Sequence, residues 1–167
     1  MAHILERHAI NEDFVKEVSS VAKYNAGAEV VVAPDQVGIP TVYKYVKAAA
    51  NLVANQPYVL VENKDGVTTA APATSSVAKV IGIPQVAIAS GSFGWVAIGG
   101  VCLAKTGIQA AGDTLEVLNA GTTLVVDGST GSPAETVGTV AISCETAAAA
   151  ATVKVNLLNK RVQIAAS

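Results

Sequence analysis

Few residues in this 167-residue chain carry reactive groups, and their spacing suits catalysis poorly. His3 and His8 lie five apart, off the three- or four-residue spacing that puts two metal ligands on one helix face, so they read as surface histidines. Cys102 and Cys144 stand far apart with no CxxC or histidine-rich neighbourhood. That excludes a zinc pattern and leaves two buried free thiols in a reducing compartment as the expectation. Asp113 and Asp127 flank one hairpin; a catalytic carboxylate pair would need burial and a partner, and turn aspartates are far commoner. In "SGSFG", Ser92 sits among glycines, but without the nucleophile-elbow spacing. No phosphate loop or dinucleotide fingerprint is present. Tyr43 and Tyr45 share a strand face with Lys47, as base-stacking platforms do, yet nothing basic surrounds them. They read as interface or rim tyrosines. These features predict neither an enzyme nor a cofactor or metal site.

Composition points the same way. Half of the chain is apolar; alanine and valine make up about a third, and the aromatics are one tryptophan, four tyrosines and two phenylalanines. Charged residues are 14% of the chain and the net charge is −2, so no basic surface for nucleic acid is expected. The N-terminus, "MAHILERHAINEDF", has no apolar stretch of signal-peptide length. Between Lys79 and Lys105 there is no charge, long enough for a membrane span. Pro84 and five glycines cut that run into "VIGIPQVAIAS" and "GWVAIGGVCLA", two buried strands rather than a span.

The elements that must position these residues are strands. "AEVVVAPD" ends at a Pro-Asp turn, and "TVYKYVKAA" alternates Val42, Lys44, Val46 with Tyr43, Tyr45, Lys47. "QPYVLVENKDGVTTAA" is a hairpin turning at Asp65-Gly66, and "DTLEVLNAGTTLVVDGS" is another, looping at Asn119-Ala120-Gly121. "VGTVAISCE" and "TVKVNLLNKRVQI" complete the set. Turn signals every eight to twelve residues predict a mainly β fold, a small β-barrel or β-sandwich. "YNAGAEVVV", "LVANQPYVLV" and "IQAAGDTLEVL" echo one another: either a duplication, or the turns that all β proteins reuse.

Residues 1–20 differ: they hold both histidines, four acids and no glycine. Asn11 can cap a short helix, Glu12 and Asp13 suit its positive end, and Ile10 with Val15 can staple it. Such a helix needs something to pack on. The segment is therefore either tucked onto its own domain or an arm that reaches a partner; the arm is the favoured reading, with Ile4, Leu5, Ile10, Phe14 and Val15 as its anchors and residues 21–167 as one β domain. Trp95 and Phe93, in a charge-free strand, read as core or intersubunit contacts, together with Tyr43 and Tyr45.

Taken in order, "FGWVAIGGVCLAKTGIQAAGDTLEV" and "VGTVAISCETAAAAATVKVNLL" resemble bacteriophage capsid decoration proteins, also called cement or head-stabilising proteins. The carriers are Gly94 to Val96, the Ala110 to Asp113 turn, Val137 to Ala141 and Val153 to Leu157, over about residues 75–160. The resemblance implies a small β-barrel or sandwich on the outside of an assembled shell, made in the host cytoplasm. The major capsid protein would be its partner, and the chain itself a homotrimer without nucleic acid, membrane or catalytic residues. The longer N-terminal half, residues 21–75, departs from the simplest members. A virion tail or fibre module, binding a glycan or protein through the loop from Asp127 to Ala134, is the alternative.

Overall fold

A computed structural model describes residues 12–33, 38–64, 66–73, 79–118, 120–127, 139–159 and 161–162. Among them are eleven strands and one helix, α1 (Glu12–Val15). The strands are β1 (Glu29–Val32), β2 (Thr41–Lys47), β3 (Tyr58–Asn63), β4 (Gly66–Ala70), β5 (Lys79–Pro84), β6 (Phe93–Thr106), β7 (Thr114–Val117), β8 (Leu124–Val126), β9 (Ala141–Ser143), β10 (Ala151–Leu158) and β11 (Arg161–Val162). The fold is mainly β, and no described helix is long and apolar enough to cross a membrane.

β6 explains the charge-free run. Its first half is buried on both faces, whereas Cys102 to Thr106 alternates. A strand covered on both faces has no use for a polar residue; a strand covered on one face does. On one face of the first half, Val96 and Ile98 join a cluster with Val46, Leu52, Leu60 and Ile88. On the other, Trp95 and Ala97 join a larger cluster that runs on to Leu115, Val155 and Leu157.

The pairings form two circuits that share β6. In the first, β2 meets β6, β6 meets β5, β5 meets β3 and β3 meets β4, all antiparallel. A parallel contact at Lys47 and Thr68 returns from β4 to β2. In the second, β6 meets β10, β10 meets β9, β9 meets β7 and β7 meets β8, again antiparallel. A parallel contact at Thr106 and Leu124 returns from β8 to β6. The second circuit is the first shifted by four strands.

Details repeat too. The Leu52–Ile88 bridge between loops corresponds to Gln109–Ala147. The Asn55 N–H donates to the Pro84 carbonyl at 2.7 Å; the Gly112 N–H donates to that of Ser143 at 2.8 Å. Asn55 and Gly112 both have positive φ, 64° and 91°. Pro84 faces Val96 in the first circuit, and Ser143 faces Val155 in the second. Common turn usage does not produce matching long-range pairings, so the echo in the sequence is an internal duplication. The sequences have diverged so far that a buried leucine at Leu52 is a glutamine at Gln109.

Three sequence expectations need correction. The first hairpin pairs Asn63 with Gly66, so Gly66 belongs to β4 rather than to the turn. Of the two thiols, both free, Cys102 is buried but Cys144 is exposed, because it lies just past the short strand β9. Residues 12–20 are not a free arm: Ser19 and Phe93 exchange backbone bonds at 3.0 and 2.8 Å, and Val15 is 1% exposed. The helix stops at Val15, leaving Val18 outside it and exposed.

β6 bends at Gly100, where φ is +80° and an added Cβ would stand 1.9 Å from the Pro40 carbonyl oxygen. Gly112 has φ +91° but open space around its Cβ position. Gly112→Ala should therefore cost only the backbone term, about 1 kcal/mol, and Gly100→Ala about 3 kcal/mol or more. Urea unfolding of the two variants checks the contrast; equal losses would contradict this account of β6.

Candidate functional site

Two neighbouring features draw together most of the large side chains singled out in the sequence. The first is an aromatic cluster. β2 delivers Tyr45 and β6 delivers Trp95 from paired positions, with ring centroids 5.0 Å apart. Phe14 from α1 packs 5.4 Å from Trp95, and Tyr24 lies 5.5 Å from Trp95 and 5.3 Å from Tyr45. Phe93 stacks on Tyr45 at 6.0 Å, and Lys47 Nζ sits 5.6 Å from the centre of the Phe93 ring. Tilted and edge-on pairs of this kind add about 0.5–1.5 kcal/mol each beyond the area they bury.

Tyr43, Tyr45 and Trp95 are core residues, at 6%, 2% and 3% exposure, and Phe93 is half-buried. The reading of the tyrosines as rim residues does not hold, because residues 12–28 cover their face of the sheet. That strap is held by the Lys23 N–H donating to Tyr45 Oη at 3.2 Å and by an exposed ion pair of Lys23 with Glu17. Phe14 and Val15, expected to anchor an arm on a partner, are instead packed into their own domain. Ile4, Leu5 and Ile10 lie outside the described residues, as do His3, His8 and most of the Asp127 to Ala134 loop.

The second feature is a groove of about 460 Å³ beside the cluster. Val15 and Lys16 line one part, Val32 and Ala33 at the end of β1 another, and Leu103 and Lys154 a third. Tyr43 and Cys102 also reach it. Next to it, Gln85 fills a gap in the ladder: its amide accepts from the Leu103 N–H at 3.0 Å and donates to the Leu103 carbonyl at 3.1 Å. One glutamine side chain thus takes the place of a strand between the β5 and β8 contacts on β6.

No family model matches the chain. No curated protein matches it either. Among solved structures it is similar to the head fiber gp8.5 N base of bacteriophage phi29, with 15% identity and a TM-score of 0.49 over 72% of this chain and 97% of that one. A likeness so slight carries nothing further.

Several of the polar groups singled out in the sequence bond within the fold. Asp113 accepts from the Ala110 N–H at 2.7 Å and closes its turn around Gly112, while Asp127 accepts from the Thr139 hydroxyl at 3.3 Å. Lys44, whose side chain is 12% exposed, reaches Glu29 at 3.0 Å and Glu62 at 3.5 Å, tying β1 and β3 to β2. No group of three or more metal-ligating side chains occurs among the described residues. Burial pushes the Cys102 thiol up to about 12, and burial followed by the nearby Glu145 raises that of Cys144. Tyr24, Lys44 and Gln85 were not evident in the sequence. Only the aromatic side chain of Tyr24, just before the Ala26-Gly27 turn, could have drawn notice.

Two outcomes follow. At pH 8 a disulfide reagent should titrate the exposed Cys144 in the folded protein, more slowly than an ordinary free thiol because its thiolate is disfavoured, and Cys102 only after denaturation; reaction of both before denaturation would contradict the burial of Cys102. Phe14→Ala should lower unfolding stability by about 2 kcal/mol, and removing residues 1–18 should lower it further. Unchanged stability in both would restore the free arm.

Proposed function

We propose that this chain is a structural virion protein of a bacteriophage that binds the outer surface of the assembled capsid and stabilises it against internal DNA pressure. Its partners are then the major capsid protein and, in a homotrimer, further copies of itself. It is made in the host cytoplasm, has no catalytic role and needs no cofactor. The observation that carries the reading is where the decoration-protein-like segments fall. Gly94 to Val96 lies in β6, Ala110 to Asp113 forms the turn before β7, the described part of the Val137 to Ala141 segment, from Thr139, leads into β9, and Val153 to Leu157 lies in β10. β6, β10, β9 and β7 are consecutive neighbours in the sheet. Segments scattered along the sequence thus build one continuous lobe.

The physical chemistry suits that role. A ligand that binds the assembled shell but not free subunits stabilises it by RT ln(1 + [L]/Kd), about 2.7 kcal/mol per site at a hundredfold excess over Kd. Such a ligand needs a fixed shape more than reactivity. Two strand circuits locked through one shared strand, with Trp95, Tyr43 and Tyr45 buried in the core, supply a fixed shape.

The test is to mix the purified chain with undecorated expanded capsids of the phage that encodes it and image them by electron microscopy. Regular density on the outer lattice sites, with raised resistance of the shells to heat, is the expected result. Bare shells at saturating protein would overturn the reading.

A further inference from the structure

The duplication shows which edge of the sheet is left open. β5 and β9 hold equivalent places, and each is flanked on both edges: β5 by β3 and β6, β9 by β7 and β10. β1 stands to β2 as β5 stands to β6, yet among the described residues β1 pairs with β2 alone. The Tyr45 N–H donates to the Ala28 carbonyl at 2.8 Å. The alternation of an antiparallel ladder then turns the backbone groups of Val30 and Val32 towards β2 and those of Glu29 and Val31 outward. Val31 is 56% exposed.

Edges of this kind are commonly blunted by shortness, charge, proline or a bulge; β1 is short and starts at the exposed Glu29, but from Val30 to Val32 it carries no charge, proline or bulge. The groove described above opens at the end of the same strand. The charged side chains among its described lining residues, Lys16 and Lys154, are both positive. In both complete circuits the strand that fills the matching place runs antiparallel to its neighbour.

We propose that the open edge of β1 is the capsid-recognition edge. It accepts an extended, acid-bearing segment of the capsid subunit as an added antiparallel strand, and alternate side chains of that segment enter the groove between Val32 and the two lysines. Main-chain bonds supply the adhesion, and the groove supplies selectivity. This rests on the capsid-binding function proposed above.

The experiment uses the full chain and expanded shells. Val31→Pro removes an outward N–H that β2 does not use, so the edge is blocked while the β1–β2 ladder remains. Its binding to shells, read by co-sedimentation, should weaken about tenfold or more at an unchanged melting temperature. The paired exposed-site variant Lys16→Glu with Lys154→Glu should weaken binding and flatten its salt dependence. If the wild type binds and a folded Val31→Pro binds equally well, the edge proposal falls and the capsid function stands. If Val31→Pro fails to fold, undiminished binding by the charge-reversal variant overturns the proposal. Self-association that Val31→Pro abolishes would assign the edge to a second copy and overturn this occupant. A wild type that leaves the shells bare overturns both readings.

Discussion

The structure depends on one strand being shared. β6 gives its first half to one circuit and its second half to the other, and it can do so only because it bends at Gly99-Gly100. The bend has a local cause. Tyr43 pairs with Ala97 while Val42 pairs with Gly99, so one extra residue is accommodated on β6 at that point. A bulge of this kind increases twist and re-aims the strand. Pro40 then passes so close to Gly100 that no side chain fits, and the Thr41 hydroxyl donates to the Val101 carbonyl at 2.5 Å across the same corner. Up to the corner β6 is a central strand covered on both faces; after it, it becomes one wall of the second circuit.

This arrangement accounts for the composition. Small and β-branched residues let two circuits of short strands sit close together, and the few large rings are concentrated where the strap, β2 and β6 meet. Burial also takes side chains out of play. Trp95 and Tyr45 are walled in, the Cys102 thiol is held neutral, and the two aspartates that flanked a hairpin in the sequence are occupied with turn and hydroxyl bonds. What remains at the surface among the described residues is backbone edge, scattered valine, leucine and isoleucine, and charged side chains such as Lys16, Glu17, Lys47 and Lys154.

Much of the fold was legible because strand periodicity and turn chemistry are local. The positions of β2, β3, β6, β7 and β10 follow from alternation and from glycine or asparagine turns. The both-face burial of β6 follows from its lack of charge. The strap was misread because its partners are distant: Phe14 and Val15 are apolar residues on a helix too short to stand alone, and nothing local says whether they reach Trp95 or another molecule. Whether the tyrosines lie at a rim, between subunits or in the core was open for the same reason, since the strap that covers Tyr45 is brought there by tertiary structure. The duplication was faint because pairing geometry has outlasted residue identity. Gln85 was invisible because a side chain standing in for a strand leaves no periodic signal.

The central claim is that the two circuits form a single cooperative unit through β6. The direct measurement is urea unfolding of a Cys144→Ser variant, followed by Trp95 fluorescence for the first circuit and its aromatic cluster, and by labelling of the Cys102 thiol for the second. The account predicts coincident midpoints and one transition. Two separate transitions, with one circuit surviving the loss of the other, would contradict it.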